Sequence, residues 1–215
     1  MDRALYVAAI NRRQNTTTTF EDFTAADSKI SLRQVTCGQG NTSLHVATIG
    51  GNETFVEKTL QSYPLLVYEA NMKGQTALHI AARLGHLEVA SLLISYARRT
   101  DGVAGAGTEN LLTMVDHEKN TALHEAVRFG HYDIVELLIK KEPSLTCLTN
   151  DCGESPLFIA VDRKFYDIAW RILETFPNCS CSGRNGMTVM HAAVIRLDFI
   201  SLGYFRFPVN RKLIM

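Results

Sequence analysis

Histidine recurs at two fixed places in this chain, and those places decide what chemistry the sequence can support. His45, His79, His124 and His191 share one position of a repeated phrase, His86 and His131 share a second, and only His117 falls outside both. Imidazoles in such sets could ligate a metal, act as general bases or hold architecture. A ligand or a base has no reason to return once in every 33 or so residues, whereas a hydrogen-bonding residue of a repeated unit does. The fourth copy has Phe158 and Phe165 at the two positions, so both imidazoles are lost together, as in a repacked unit. The pattern therefore predicts structural histidines, with no metal site and no catalytic residue. His117, in the VDHEK loop, is expected to be solvated or to face a partner.

The five cysteines are odd in number and irregularly placed, which predicts reduced thiols rather than a disulfide framework. Cys179 and Cys181 form a C-x-C and Cys147 and Cys152 a C-x4-C, but neither has a second pair at zinc-site spacing. A nucleophilic Cys152 or Cys179 would need a depressed thiol pKa beside a base. The one histidine outside the repeat framework is His117. Neither a phosphate-cradling loop nor a metal cluster is evident, so no cofactor is expected.

The elements that carry these residues follow from the repeat itself. The phrase appears as NTSLHVA, QTALHIA, NTALHEA, ESPLFIA and MTVMHAA, with steps of 34, 45, 34 and 33 between Thr42, Thr76, Thr121, Ser155 and Thr188. Each hydroxyl stands where it can cap a helix, and Pro156 occupies a first helical position. Inner helices are predicted near 76–84, 121–129 and 155–163. Gly85 and Gly130 are suited to ending two of them in the left-handed conformation. Outer helices follow in LEVASLLISYA, YDIVELLIKK and YDIAWRILETF, each with one apolar face, and Pro64, Pro143 and Pro177 close three outer helices. RALYVAA reads as a degenerate first copy. The 11 residues by which 45 exceeds 34 fall in RRTDGVAGAGTEN, read as an inserted flexible loop over 98–110. Trypsin is expected to cut there, at Arg98 or Arg99, before it cuts Arg83 or Arg128.

Composition narrows the function classes. Lys and Arg number 22 and Asp and Glu 22, so no net field recruits nucleic acid. The amino terminus lacks the apolar core of a signal peptide, no apolar run reaches the roughly 18–20 residues of a membrane span, and lipidation signals are not evident.

A 33-residue period carrying a T-P-L-H-x-A phrase resembles the ankyrin repeat. The segments YPLLVYEANMKGQTALHIAARLGHLEVASLLI and LLTMVDHEKNTALHEAVRFGHYDIVELLIKKEPSL, followed by NDCGESPLFIAV, are similar to the ankyrin region of plant proteins of the accelerated-cell-death type. The resemblance covers about residues 38–194 and implies an all-α ankyrin solenoid of five to six stacked helix-turn-helix repeats with short hairpin loops. A degenerate repeat and linker is expected over 1–36, the repeats over 37–196, and an irregular tail over 197–215. The resemblance further implies a non-enzymatic protein-interaction module in plant defence and cell-death signalling. It would be cytoplasmic or at the cytosolic face of a membrane, the plasma membrane in the resembling family.

Projecting the ankyrin pattern gives Met72, Lys73, Gln75, Arg83 and Leu84 as partner-facing in one copy. The next copies contribute His117, Glu118, Asn120, Arg128 and Phe129, then Asp151, Cys152, Glu154, Asp162 and Arg163, with Arg184, Asn185 and Met187 extending the row. Arg83, Arg128 and Arg163 read as neighbouring rungs. Thr76, His79, Thr121, His124, Ser155, Thr188 and His191 are expected to be structural. The partner is another protein, not nucleic acid. Two alternatives remain open: the cytosolic ankyrin part of a multi-span membrane protein whose membrane domain this chain lacks, and a cysteine-dependent enzyme. The departures from the pattern after Val194 suggest self-association through the apolar C-terminal end.

Overall fold

A computed structural model describes residues 3–11, 36, 38–100 and 110–196. Helix α1 (Arg3–Ile10) packs on α2 (Ser43–Gly50), which forms an antiparallel hairpin with α3 (Glu53–Ser62). Three further hairpins follow: α4 (Ala77–Leu84) with α5 (Leu87–Thr100), α6 (Ala122–Phe129) with α7 (Tyr132–Lys141), and α8 (Pro156–Asp162) with α9 (Tyr166–Thr175). Helix α10 (Val189–Ile195) stacks on α8. Among the described residues there is no strand, and inner helices stack on inner helices while outer helices stack on outer ones. The architecture is the all-α solenoid that the period implies.

The inner helices can lie close because their facing positions are small: Ala47, Ala81, Ala82, Ala126, Ala160 and Ala193 are all buried. The outer helices close the other side with Val56, Leu60, Leu93, Leu138, Ile139 and Ile172, so one core runs unbroken from Leu5 to Ala193. A single unit could not bury its own apolar face, and the neighbour on each side supplies what it lacks.

The recurrent histidine ties unit to unit. In α4 the Thr76 backbone N–H donates to His79 Nδ1 at 3.2 Å, leaving the proton on Nε2. Nε2 then donates to the Asn120 carbonyl of the next unit at 3.0 Å. His45 repeats the arrangement with Thr42 and the Gln75 carbonyl (3.2 and 2.9 Å), and His124 does so with Thr121 and the Glu154 carbonyl (both 3.2 Å). In each case the acceptor immediately precedes the next helix cap. His191 takes the Thr188 N–H at 3.1 Å in the same way. Ser155, buried, accepts the Phe158 N–H at 3.2 Å, which caps α8 without an imidazole.

The second histidine position works against a glycine. Gly85 ends α4 at φ 78°, and a Cβ there would sit 2.7 Å from the His131 ring, whose Nε2 donates to the Arg83 carbonyl at 3.0 Å. Phe165 lies against Gly130 in the same manner, so the fourth unit keeps the contact with a different ring.

Helix α5 runs further than the sequence suggests. Residues 98–100, expected as the start of the inserted loop, form its last turn. Tyr96 and Ala97 are buried and extend the packed face, and the cations Arg98 and Arg99 suit a helix C-terminus. The rest of that loop up to residue 109, most of the amino-terminal linker and the tail over 197–215 lie outside the described residues, together with the apolar C-terminal end expected to self-associate.

The hairpin turns place Gly74, Gly153 and Gly186 two residues before a cap, at φ 75°, 75° and 73°, while the third unit has Lys119 there at φ 58°. A left-handed conformation costs an ordinary side chain roughly 1 kcal/mol. The Lys119 ammonium pairs with Asp151 at 2.7 Å, but on an exposed surface such a pair contributes little. Lys119→Gly is therefore expected to stabilise the stack by about 0.5–1 kcal/mol, measured as a higher urea midpoint. A lower midpoint would mean that the ion pair outweighs the backbone relief.

Candidate protein-binding face

Three successive hairpin tips are built on an Asn or Asp five residues before the cap. Asn71 Oδ1 accepts the N–H groups of Lys73 (2.9 Å) and Gln75 (3.0 Å). Asp116 does the same for Glu118 (3.0 Å) and Asn120 (2.8 Å), and Asn150 for Cys152 (3.0 Å) and Glu154 (2.9 Å). Successive tips are then joined through the backbone: Met72 N–H to the Gln39 carbonyl at 3.0 Å, His117 N–H to Lys73 at 3.0 Å, Asp151 N–H to Glu118 at 2.9 Å. The tips form a rigid row beside the inner helices. The residues that shape this row, Asn71, Asp116 and Asn150, were not singled out from sequence, although their constant offset from Thr76, Thr121 and Ser155 was there to be read.

The expected partner-facing residues divide by depth. Met72, Lys73, Leu84, His117, Glu118, Phe129, Asp151, Cys152 and Arg163 are exposed, Met72 at 69%, Phe129 at 48% and Leu84 at 42%. Gln75 and Asn120 are buried and so are removed from the contact surface. The Asn120 side chain donates to Asp116, and its Oδ1 accepts from Asn150 Nδ2 and an Arg128 Nη, both at 3.0 Å. Its work is to lock neighbouring hairpins together.

The arginine row also needs correction. Arg83 and Arg128 stand seven residues after their caps, and the residue in that register of the fourth unit is Asp162; Arg163 shares the next position with Leu84 and Phe129. Arg128 is moreover held internally, 2.9 Å from Glu125 and 3.8 Å from Glu154. Glu154 and Asp162 lie 3.7 and 2.7 Å from Arg184, and Asp162 is 2.7 Å from Arg196. Burial pushes the Glu125 carboxyl up while Arg128 pulls it back. Arg128, Arg184 and Arg196 with Glu125, Glu154 and Asp162 thus form a self-neutralised ladder in the carboxy-terminal half of the face, and the exposed Arg163 lies outside it. Glu125, a buried acid with no counterpart in the other copies of the phrase, is the signal in the sequence that pointed to it.

Cys179 is buried, and burial pushes its thiol up to about 12, which keeps it protonated near neutral pH rather than nucleophilic. Among the described residues no group of three His, Cys, Asp or Glu side chains is placed to hold a metal, and no helix is long and apolar enough to cross a membrane.

The family model for ankyrin repeats (3 copies) matches residues 5–103 and 58–147. The chain is similar to Protein ACCELERATED CELL DEATH 6 of Arabidopsis thaliana, 31% identical over 151 residues, which is 67% of this chain and 22% of that protein. It is also similar to Notch-regulated ankyrin repeat-containing protein A of Danio rerio, 39% identical over 64 residues, covering 30% of this chain and 56% of that one. The match thus spans about a fifth of the plant relative and a little over half of the animal one.

Proposed function

From the premise that this chain belongs to the ankyrin-repeat family, we propose that its interaction module serves plant defence and cell-death signalling, and that it binds partner proteins on the face lined by Met72, Leu84 and Phe129. The observation that carries the site is a contrast in burial. Most residues of the repeated phrase are sequestered, while Met72 stands open on the row of bonded hairpin tips and Leu84 and Phe129 stand open at the ends of consecutive inner helices. Apolar anchors beside arginine favour tight contact in protein interfaces. The signalling role rests on the 31% identity to the Arabidopsis protein over 67% of the chain. The same likeness supports a second reading, in which the stack lies at the cytosolic face of a membrane as the ankyrin part of a longer multi-span protein.

The test is affinity capture from plant tissue, comparing the wild type with the double variant Leu84→Asp/Phe129→Asp. Both side chains are exposed, so the variant is expected to keep its helical circular dichroism and lose the captured proteins. Retention of the same set would place binding elsewhere. Loss of the cell-death response with the double variant, in leaves that depend on this chain, would support the signalling role; an unchanged response would remove it.

A further inference from the structure

We infer that the amino-terminal half of the proposed face takes an acidic segment carrying an apolar anchor side chain, an inference that rests on the binding site proposed above. The third unit supplies the template. There Arg128 reaches back along its helix to Asn120, the residue before the cap, and is met by Glu125 at 2.9 Å. Arg83 follows the same course in the second unit, and its Nη1 lies 3.4 Å from Gln75 Oε1, again the residue before the cap. The position of Glu125 is taken in that unit by Ile80, fully buried. Among the described residues Arg83 therefore presents the same guanidinium in the same place with no carboxylate beneath it, and Glu125, the acid whose field it feels, is already held by Arg128.

The surroundings agree. Lys73 is exposed on the hairpin tip, and the exposed anion nearby, Glu118, accepts from Asn120 Nδ2 at 3.3 Å. In the carboxy-terminal half Arg128, Arg184 and Arg196 are matched by Glu125, Glu154 and Asp162, and the exposed Arg163 stands in the Leu84 register, where it replaces the apolar side chain rather than flanking it. Leu84 and Phe129 occupy one register on consecutive inner helices and leave an apolar step beside the free guanidinium. A ligand carboxylate on Arg83 would make the charge-assisted pair that Arg128 makes internally, and an adjacent Leu or Phe would cover the step.

Fluorescence anisotropy with labelled synthetic peptides tests this. The probes are short Glu/Asp-rich peptides with one central Leu or Phe, the same peptides with Lys for every acid, and acidic peptides with Ser at the centre. The acidic apolar probe is expected to bind, the basic one not to bind, and the Ser probe to bind more weakly. Affinity should fall as salt rises from about 0.05 to 0.5 M. Arg83→Gln should weaken the acidic apolar probe by about tenfold, and Lys73→Glu should act in the same direction. Ile80→Glu, which gives Arg83 the internal partner that Arg128 has, should weaken it too, and Glu57→Lys on the outer helix α3 should not. Equal binding of the basic probe, no binding of the acidic apolar probe, or indifference to Arg83→Gln would overturn the inference. If basic probes bind and Leu84→Asp/Phe129→Asp abolishes it, the face survives and its acidic preference falls. If that double variant changes nothing for any bound probe, the face itself falls.

Discussion

Gly183→Ala is expected to lower the stability of the stack by about 2–3 kcal/mol, although glycine there is under no conformational demand. Its φ of −141° is ordinary extended backbone, so the effect is purely one of space. A Cβ at this position would lie 2.1 Å from two ring carbons of Phe158, and Phe158 is only 1% exposed, so its ring has nowhere to swing. The earlier units have Asn71, Asp116 and Asn150 at this offset, each following a unit with histidine where the fourth has Phe158. Phenylalanine for histidine and glycine for Asn/Asp are therefore one coupled exchange: the larger ring is accommodated by deleting the side chain above it. The double variant Phe158→His/Gly183→Asn, which recreates the arrangement of His124 and Asn150, should recover part of what either change costs alone. Urea unfolding of the two single variants and the double should give a coupling energy of about 1–3 kcal/mol in the favourable direction. Additive costs would mean that the two positions are independent and that the fourth unit's departure has another origin.

That coupling illustrates what the sequence exposed and what it hid. Unit boundaries, caps and inner helices were legible because they depend on local chemistry repeated at a fixed period: a hydroxyl before an apolar run, a glycine after it. Depth and pairing were not legible. Gln75 and Asn120 look like loop-tip polar residues, yet both are buried, and Asn120 is spent bridging Asp116, Asn150 and Arg128. Arg128 and Arg83 are indistinguishable by offset, and only the presence of Glu125 in one unit and Ile80 in the other separates a neutralised guanidinium from a free one. The short α8, which ends at Asp162 with Lys164 rather than glycine in the left-handed position (φ 65°), obscured the register that assigns Arg163 to the Leu84 position. Arg184 pairs with Asp162 across 22 residues and Arg196 across 34, separations at which a single sequence carries no direct signal.

The inter-unit histidines should make this stack acid-labile between pH 6.5 and about 4, by about 3 kcal/mol from His124 alone. Burial, the largest cause, lowers His124 from 6.5 to about 4, and it lowers His45 and His79 as well. The bonding explains why the proton is unwelcome. Nδ1 already accepts the cap residue's N–H, so protonating it would set two donors against each other in a buried site. An unfolded chain takes these protons as pH falls through 6.5, while the folded chain resists until the lowered folded values are reached. The unfolded state therefore binds more protons throughout that window, and stability rises with pH across it. The contribution is fully present above the unfolded value and is lost on acidification. Glu125 works the other way, since a carboxyl raised by burial is less unfavourable once protonated; one such group offsets only part of three histidines. His124→Ala should cost about 1–3 kcal/mol at pH 7.5, because the Thr121 N–H and the Glu154 carbonyl lose their buried partner. That cost should shrink toward pH 4.5, where wild type has lost what His124 contributed and the alanine variant has no imidazole to protonate. Urea midpoints of both proteins at pH 7.5, 6.5, 5.5 and about 4.5 should therefore converge. Parallel curves would show that His124 does not titrate on unfolding and that the acid sensitivity lies elsewhere.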